Sequence, residues 1–264
     1  MIIDFHTHCF PDALAPRAIS SLAYSSALVP YTDGTVAGLR ASMKENSITT
    51  SVVLNIATNA HQQAKVNDFA ASINNQKDIF AFGSVFPFSK DALDELERSK
   101  SLGLKGIKLH PDYQGFSVDD ERLKPLYKKI SSLGLITVFH SGVDLGFCAP
   151  YGNTPEKLIK ALSWFSSPVV AAHWGGPGYS KEVTEILCGA ENLYFDVSFG
   201  FSIIPKCYAS KIVEKHGTDK LLFGTDSPWH TAQMELSLLN TLELSQDEKD
   251  NIFYKNASRL LEIK

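Results

Sequence analysis

Eight short runs of apolar, β-branched and aromatic residues recur along this chain, and a stretch with helical spacing follows each of them. The runs cover 2–8, 51–57, 79–86, 106–110, 135–140, 169–173, 193–198 and 221–226. Between them lie helix-like segments such as 91–101, 119–133, 155–165 and 205–216. In the first of these Leu93 and Leu96 are three apart among charges, and Gly103 and Gly134 stand where two helices should stop. Strict alternation of strand and helix demands a parallel sheet with right-handed crossovers. Eight such units in about 250 residues is the size at which the sheet closes on itself. The predicted fold class is therefore α/β, a single (β/α)8 TIM barrel over residues 1–264. An open doubly wound sheet is the alternative, but no glycine-rich phosphate loop follows the first strand. The longest irregular stretch, 9–35, follows strand one and is expected to form a lid segment over the site.

Strands buried on both faces should be almost wholly apolar. Here the exceptions are His6 and His8 on strand one, Lys108 and His110 on strand four, His140 on strand five, His173 on strand six and Asp226 on strand eight. Alternation predicts that Asp4, His6 and His8 share one face and that Ile3 and Phe5 take the other. Each polar residue sits at the C-terminal end of its strand, the rim on which barrel enzymes build active sites. His61 and His230 follow strands two and eight closely, and His216 lies elsewhere. Taken one at a time, a strand histidine is most often a hydrogen-bonded core residue, and Asp226 would serve as a cap for the helix after Pro228. As a set they are harder to dismiss. Several imidazoles and a carboxylate buried together each need a partner, and one divalent cation satisfies them at once. Nitrogen and oxygen donors favour Zn²⁺, with Mn²⁺, Fe²⁺ or Ni²⁺ as alternatives.

Composition narrows the function classes. A formal net charge of −4 provides no basic footprint for nucleic acid. No run reaches the roughly 18 apolar residues of a membrane span. Met1 leads directly into an apparent strand with no basic start, so no signal peptide is expected. Cys9, Cys148, Cys188 and Cys207 are widely spaced and form no C-x-x-C pair, which points to reduced thiols and a cytoplasmic setting.

The motifs at these positions are recognisable. Asp4-Phe5-His6-Thr7-His8 resembles the D-x-H-x-H opening of the amidohydrolase superfamily. Phe139-His140-Ser141-Gly142, Ala172-His173-Trp174-Gly175-Gly176 and Gly224-Thr225-Asp226-Ser227-Pro228 resemble its strand-five, strand-six and strand-eight signatures. The ending Asn256-Ala257-Ser258-Arg259-Leu260-Leu261 is similar to the N-A-x-R-L close of the amidohydrolase-related branch, which holds aminocarboxymuconate-semialdehyde decarboxylase and many TIM-barrel hydrolases. The resemblance implies that His6, His8, His140 and Asp226 hold one divalent metal. It implies that Asp226 and His173 are catalytic, His173 handling the water or the developing charge. Binuclear members carry a carboxylated strand-four lysine. Lys108, in Gly106-Ile107-Lys108-Leu109-His110-Pro111, more closely resembles the mononuclear branch. It would bind a substrate carboxylate or, in the plainer reading, pair with a neighbour such as Asp4.

The expected activity is hydrolysis of an amide, ester or lactone bond in a small, carboxylate-bearing substrate by a metal-activated water. Non-oxidative decarboxylation of a small unsaturated or aromatic acid is the second reading. A TatD-like metal-dependent DNase is a third, sharing Thr225-Asp226-Ser227-Pro228 but placing a glutamate where this chain has the Lys108 segment. A barrel retained only as a scaffold should have lost ligands, and none is missing. Lys108, His110, Tyr113, Trp174 and Trp229 are the expected substrate contacts, with Arg17, Tyr24, Asp112 and Asp144 also on rim loops. The expected partner is a small molecule, with no nucleic acid or membrane, and a homodimer is left open.

Overall fold

A computed structural model describes residues 1–263. Strands β1 (Ile3–Thr7), β2 (Thr50–Leu54), β3 (Ile79–Phe82), β4 (Gly106–Leu109), β5 (Ile136–Phe139), β6 (Val169–Ala171), β7 (Leu193–Asp196) and β8 (Leu221–Leu222) alternate with helices, and every pairing is parallel. β1–β2–β3 and β4 through β8 form two ladders. Backbone hydrogen bonds cross both seams between them. Gly83 N–H donates to Gly106 O and Lys108 N–H to Gly83 O (3.0 and 2.8 Å). On the other side Phe5 N–H donates to Phe223 O, and Asp226 N–H to His6 O (2.7 and 2.8 Å). The eight strands thus close into a TIM barrel, as strict alternation requires.

Side-chain alternation divides the interior in two. Val53, Ile79, Ile107, Leu109, Phe139, Val169 and Phe195 face the surrounding helices. Ile3, Phe5, Val52, Leu54, Phe80, Phe82, Val138 and Val170 fill the barrel itself. The predicted face assignment for strand one is corrected here. Register slips between Asp4 and Thr7 against β2, a bulge that inserts one extra residue. Ile3 and Phe5 therefore point inward, Asp4 does not, and alternation resets so that His6 also enters the barrel. Asp4 instead accepts hydrogen bonds from Thr225 N–H and Oγ1 (2.9 and 2.7 Å), clasping the segment after β8. Burial pushes its carboxyl up to about 7 against these bonds.

The strands are shorter than the apolar runs suggest. His8, His110, His140, His173 and Asp226 all fall just past a strand end, and only His6 and Lys108 lie within one. The expected lid segment is more ordered than an irregular stretch: Ala15–Ser26 is a helix, started by Pro16 in its first turn. Helix Ala92–Ser101 buries Leu96, whereas Leu93 is 42% exposed, so only one of that pair faces the core. Gly103 and Gly134 end their helices with φ of 80° and 63°, as predicted. The C-terminal helix Asn256–Leu261 explains its own motif. Buried Asn256 donates from Nδ2 to Thr218 O and Leu221 O, both at 2.7 Å, while Ala257 and Leu261 pack against the barrel interior. Among the described residues no helix is long and apolar enough to cross a membrane.

His216 lies far from the rim, stacked on Phe195 at 4.1 Å. Its Nε2–H donates to Leu193 O and its Nδ1 accepts from Gly189 N–H, both at 3.1 Å, which only the neutral ring can do. Burial lowers its pKa from 6.5 to about 4. A depressed folded-state value means that the unfolded chain takes up the proton first, so stability is fully present above pH 6.5 and declines as pH falls toward 4. Denaturant unfolding across that window should show the decline, and His216→Gln should flatten part of it at the expense of lower stability at neutral pH.

Candidate active site

The residues past the strand ends meet at the C-terminal rim, on the floor of a cavity of about 710 Å³. His6 Nε2, His8 Nε2 and Asp226 Oδ1 form a triangle with sides of 3.1–3.2 Å. The opposite ring nitrogens determine what these atoms carry. His8 Nδ1 lies 2.8 Å from Leu54 O, and a carbonyl can only accept, so the proton is on Nδ1 and Nε2 holds a lone pair. His6 Nδ1 lies 2.9 Å from Asp196 Oδ2, a carboxylate that imposes the same tautomer. Burial, with Lys108 next, holds His6 well below the usual imidazole range, so it stays neutral. Three electron-rich atoms thus face one another with no proton to share. This donor set suits a divalent cation: neutral imidazoles and a carboxylate, already aimed, with their outer nitrogens hydrogen-bonded.

His173 joins His6 and Asp226 at this centre. Its Nδ1 lies 2.9 Å from Ser198 Oγ, whose hydroxyl donates to Asp196 Oδ1, so His173 also presents a lone pair at Nε2. Its backbone N–H donates to Asp196 Oδ1 at 3.0 Å. One carboxylate therefore orients His6 through one oxygen and the His173 segment through the other. His140 Nδ1 is 3.2 Å from His173 Nε2. The His140 ring stacks on His110 at 4.1 Å, and its Nε2, 3.8 Å from Asp144, has no hydrogen-bond partner among the described residues. His110 Nε2 reaches Asp144 Oδ2 at 3.1 Å. Geometry thus brings His6, His8 and Asp226 together directly, with His173 beside them and His140 in contact through His173. His110, His140 and His173 are, like His6, held well below the ordinary imidazole range, chiefly by burial.

Lys108 is 1% exposed, and its Nζ lies 3.3 Å from His6 Nε2. It does not pair with Asp4, which is engaged by Thr225. Burial pushes its amine down to about 8, opposed by Asp196, Asp226 and Asp144. Asp226 is not the cap of the following helix either, since Thr231 Oγ1 takes that role by accepting from Met234 N–H. Of the expected substrate contacts, Lys108, His110, Tyr113 and Trp229 border the cavity, as do Arg17 and Asp144. Trp174 does not, and that expectation is corrected. At φ 57° its N–H donates to Asp196 O (2.7 Å), and the ring packs outside the barrel against Gly200, where a Cβ would lie 2.2 Å from Nε1. Tyr24 is 92% exposed, and Asp112 accepts from Gly152 N–H away from the floor.

Asp196 and Ser198 are the residues that the sequence reading passed over. A carboxylate closing an otherwise apolar β7 was the available signal, of the same kind that singled out His6 and Lys108. The loops hold the geometry by close backbone approach. At Gly142, φ 75°, a Cβ would lie 2.5 Å from Pro177 O and 2.6 Å from Gly176 Cα, so the segments carrying His140 and His173 touch backbone to backbone.

A profile of the amidohydrolase family matches residues 3–263. No curated protein sequence gives a significant match. Among solved structures, an uncharacterised TIM-barrel protein from Bordetella bronchiseptica is 21% identical with a TM-score of 0.82, covering 99% of this chain and 98% of its own. A dihydroxybenzoic acid decarboxylase from Polaromonas, solved with manganese and the inhibitor 2-nitroresorcinol, is 15% identical at TM-score 0.72, with 99% and 96% covered. A candidate 2-pyrone-4,6-dicarboxylic acid hydrolase from Pseudomonas putida is 14% identical at TM-score 0.68, with 99% and 97% covered.

Removing the shared carboxylate tests the tautomer argument. Asp196→Asn can return a side-chain N–H toward His6 Nδ1, so the population with a free Nε2 lone pair falls. Chelator competition should then show metal affinity lower by about 10–100-fold, with the fold retained by circular dichroism. Unchanged affinity would mean that Asp196 does not orient His6.

Proposed function

Because the chain belongs to the amidohydrolase family, we propose that it is a metal-dependent enzyme acting on a small carboxylate-bearing substrate, first as a hydrolase of an amide, ester or lactone bond. The observation that carries this reading is the triangle of His6 Nε2, His8 Nε2 and Asp226 Oδ1, all lone-pair atoms within 3.2 Å of one another. His6, His8, His140 and Asp226 would hold one divalent cation, with Zn²⁺ favoured and Mn²⁺, Fe²⁺ or Ni²⁺ as alternatives. When bound, such a cation supplies Lewis acidity and makes hydroxide available near neutral pH.

The chain's own groups do the rest. Asp226 Oδ2 accepts the proton that leaves water as it attacks the carbonyl carbon, and returns it to the departing nitrogen or oxygen. His173 Nε2, a lone-pair atom held by Ser198 and kept neutral by burial, accepts a hydrogen bond from that water and so positions it. Lys108 Nζ, buried beside His6, meets the substrate carboxylate where low dielectric strengthens the contact. Asp144 fixes His110, and Tyr113 packs edge-on against His110 at 4.6 Å, forming a flat wall.

Decarboxylation is the second reading, favoured by the fold-level likeness to a dihydroxybenzoic acid decarboxylase over 99% of this chain. In that reaction the bond to CO₂ breaks, the electron pair stays on carbon, and a proton taken up from solvent by Asp226 or His173 is passed to that carbon. The two readings separate in one assay. Hydrolysis incorporates solvent oxygen into the product, whereas decarboxylation releases CO₂ and incorporates solvent hydrogen at carbon.

Metal analysis of purified protein should find about one divalent ion per chain, lost in the His6→Ala, His8→Ala double variant. Full occupancy in that variant would remove the assignment. His173→Asn should keep the ion while activity falls by about 10²-fold or more. Lys108→Met should weaken a carboxylate competitor by roughly tenfold or more, while binding of neutral competitors changes little.

A further inference from the structure

The residues around the cavity of about 710 Å³ fall into two sets with different chemistry. The floor holds the histidines, Lys108 and Asp226. The upper wall comes from the lid segment, the loop after β2 and helix Gln63–Ile73, and it presents Leu14, Leu22, Leu28, Ile56, Val66 and Phe69. Helix Gln63–Ile73 departs from an ordinary surface helix, which buries an apolar stripe, in burying two amides on its inner face. Its fully buried residues are Gln63, Asn67 and Ala70, while the larger apolar Val66 and Phe69 stay half-buried along the cavity.

Burying the two amides is possible because they are satisfied. Asn67 Nδ2 donates to Glu95 and Ser84 O and its Oδ1 accepts from Ser84 N–H, while Gln63 Oε1 accepts from Phe86 N–H. The lid helix Ala15–Ser26 buries apolar Ala15 and Ile19 in the ordinary way, and still leaves Leu22 half-buried at the cavity. Apolar side chains held in a concave wall continuous with polar donors are the makings of a ligand subsite. Arg17 and Lys65 also border this space, but both are exposed, so their charges are screened and their stems extend the wall.

We propose that the substrate is an amphipathic carboxylic acid whose apolar arm, alkyl or aryl, lies against Leu22, Val66 and Phe69 while its polar end reaches the floor. This rests on the reading of the floor as a metal-dependent, carboxylate-recognising site. The arm supplies binding through desolvation alone, and the reacting end provides the direction.

Calorimetry of the metal-loaded enzyme with straight-chain carboxylates of increasing length, and with the matching primary alcohols, tests this without an activity assay. The expected result is one-to-one binding that tightens by roughly fourfold per added methylene until the subsite is filled, then levels off. Leu22→Gln, on the outer helix, should flatten that slope and leave acetate binding unchanged. Carboxylates that bind with no dependence on length would overturn the apolar arm and leave the proposed function standing. Alcohols that match the acids at every length would keep the arm and defeat the carboxylate reading. A length dependence with many ligands per chain, unaffected by Leu22→Gln, would mean non-specific adsorption and also overturn the proposal.

Discussion

Lone pairs repel, and this fold holds three of them within 3.2 Å of one another, on His6 Nε2, His8 Nε2 and Asp226 Oδ1. Much of the surrounding architecture follows from keeping them there. Leu54 O and Asp196 Oδ2 occupy the outer nitrogens of the two imidazoles, so neither ring can turn its proton inward. The His6 ring is also too buried to become charged easily, so relieving the crowding by protonating it is costly. Lys108 places a cationic end 3.3 Å from His6, which eases the crowding. A divalent ion at the centre would ease it further.

Backbone strain gathers in the same place. His173, Trp174, Phe199 and Asp226 all have φ between 52° and 62°, a region that costs a non-glycine residue about 1–3 kcal/mol. Such conformations persist only where neighbours over-determine them. Asp226 is held by its N–H to His6 O and by accepting from Trp229 N–H, both at 2.8 Å. His173 and Trp174 are held through the Asp196 carboxylate and carbonyl. Glu235 does the same for the loop after β7, accepting from Gly200 and Phe201 N–H and from His230 Nδ1. The strand ends are thus held where side chains must aim, and apolar residues of the lid segment border the cavity above them.

The family relation narrows the chemistry without selecting the reaction. A dihydroxybenzoic acid decarboxylase and a candidate 2-pyrone-4,6-dicarboxylic acid hydrolase share this fold at 14–15% identity. A cation with a neighbouring base can either activate water or stabilise charge left on carbon, so the fold alone does not choose between them. The wall, rather than the floor, is where substrates would be sorted. Polar side chains buried on helix Gln63–Ile73 and apolar ones turned to the cavity are a feature of this chain's own packing.

What the sequence determined by itself was the order of elements and the class of atoms at the rim. Alternating runs impose a parallel barrel, and a barrel gathers its strand ends, so His6, His8, Lys108, His140, His173 and Asp226 had to share one rim. Local pattern could not reveal the bulge in β1, because an extra residue changes register without changing hydropathy, and so the expectation that His6 shares a face with Asp4 failed. Nor could it place Trp174 outside the barrel, since that depends on a left-handed backbone and on the absence of a side chain at Gly200, far along the chain. The pairing of Asp196 with both His6 and His173 spans 190 and 23 residues and exists only once β1, β6 and β7 converge. Tertiary structure alone decided which nitrogen of each ring carries the proton, because a tautomer is chosen by the partner on its far side.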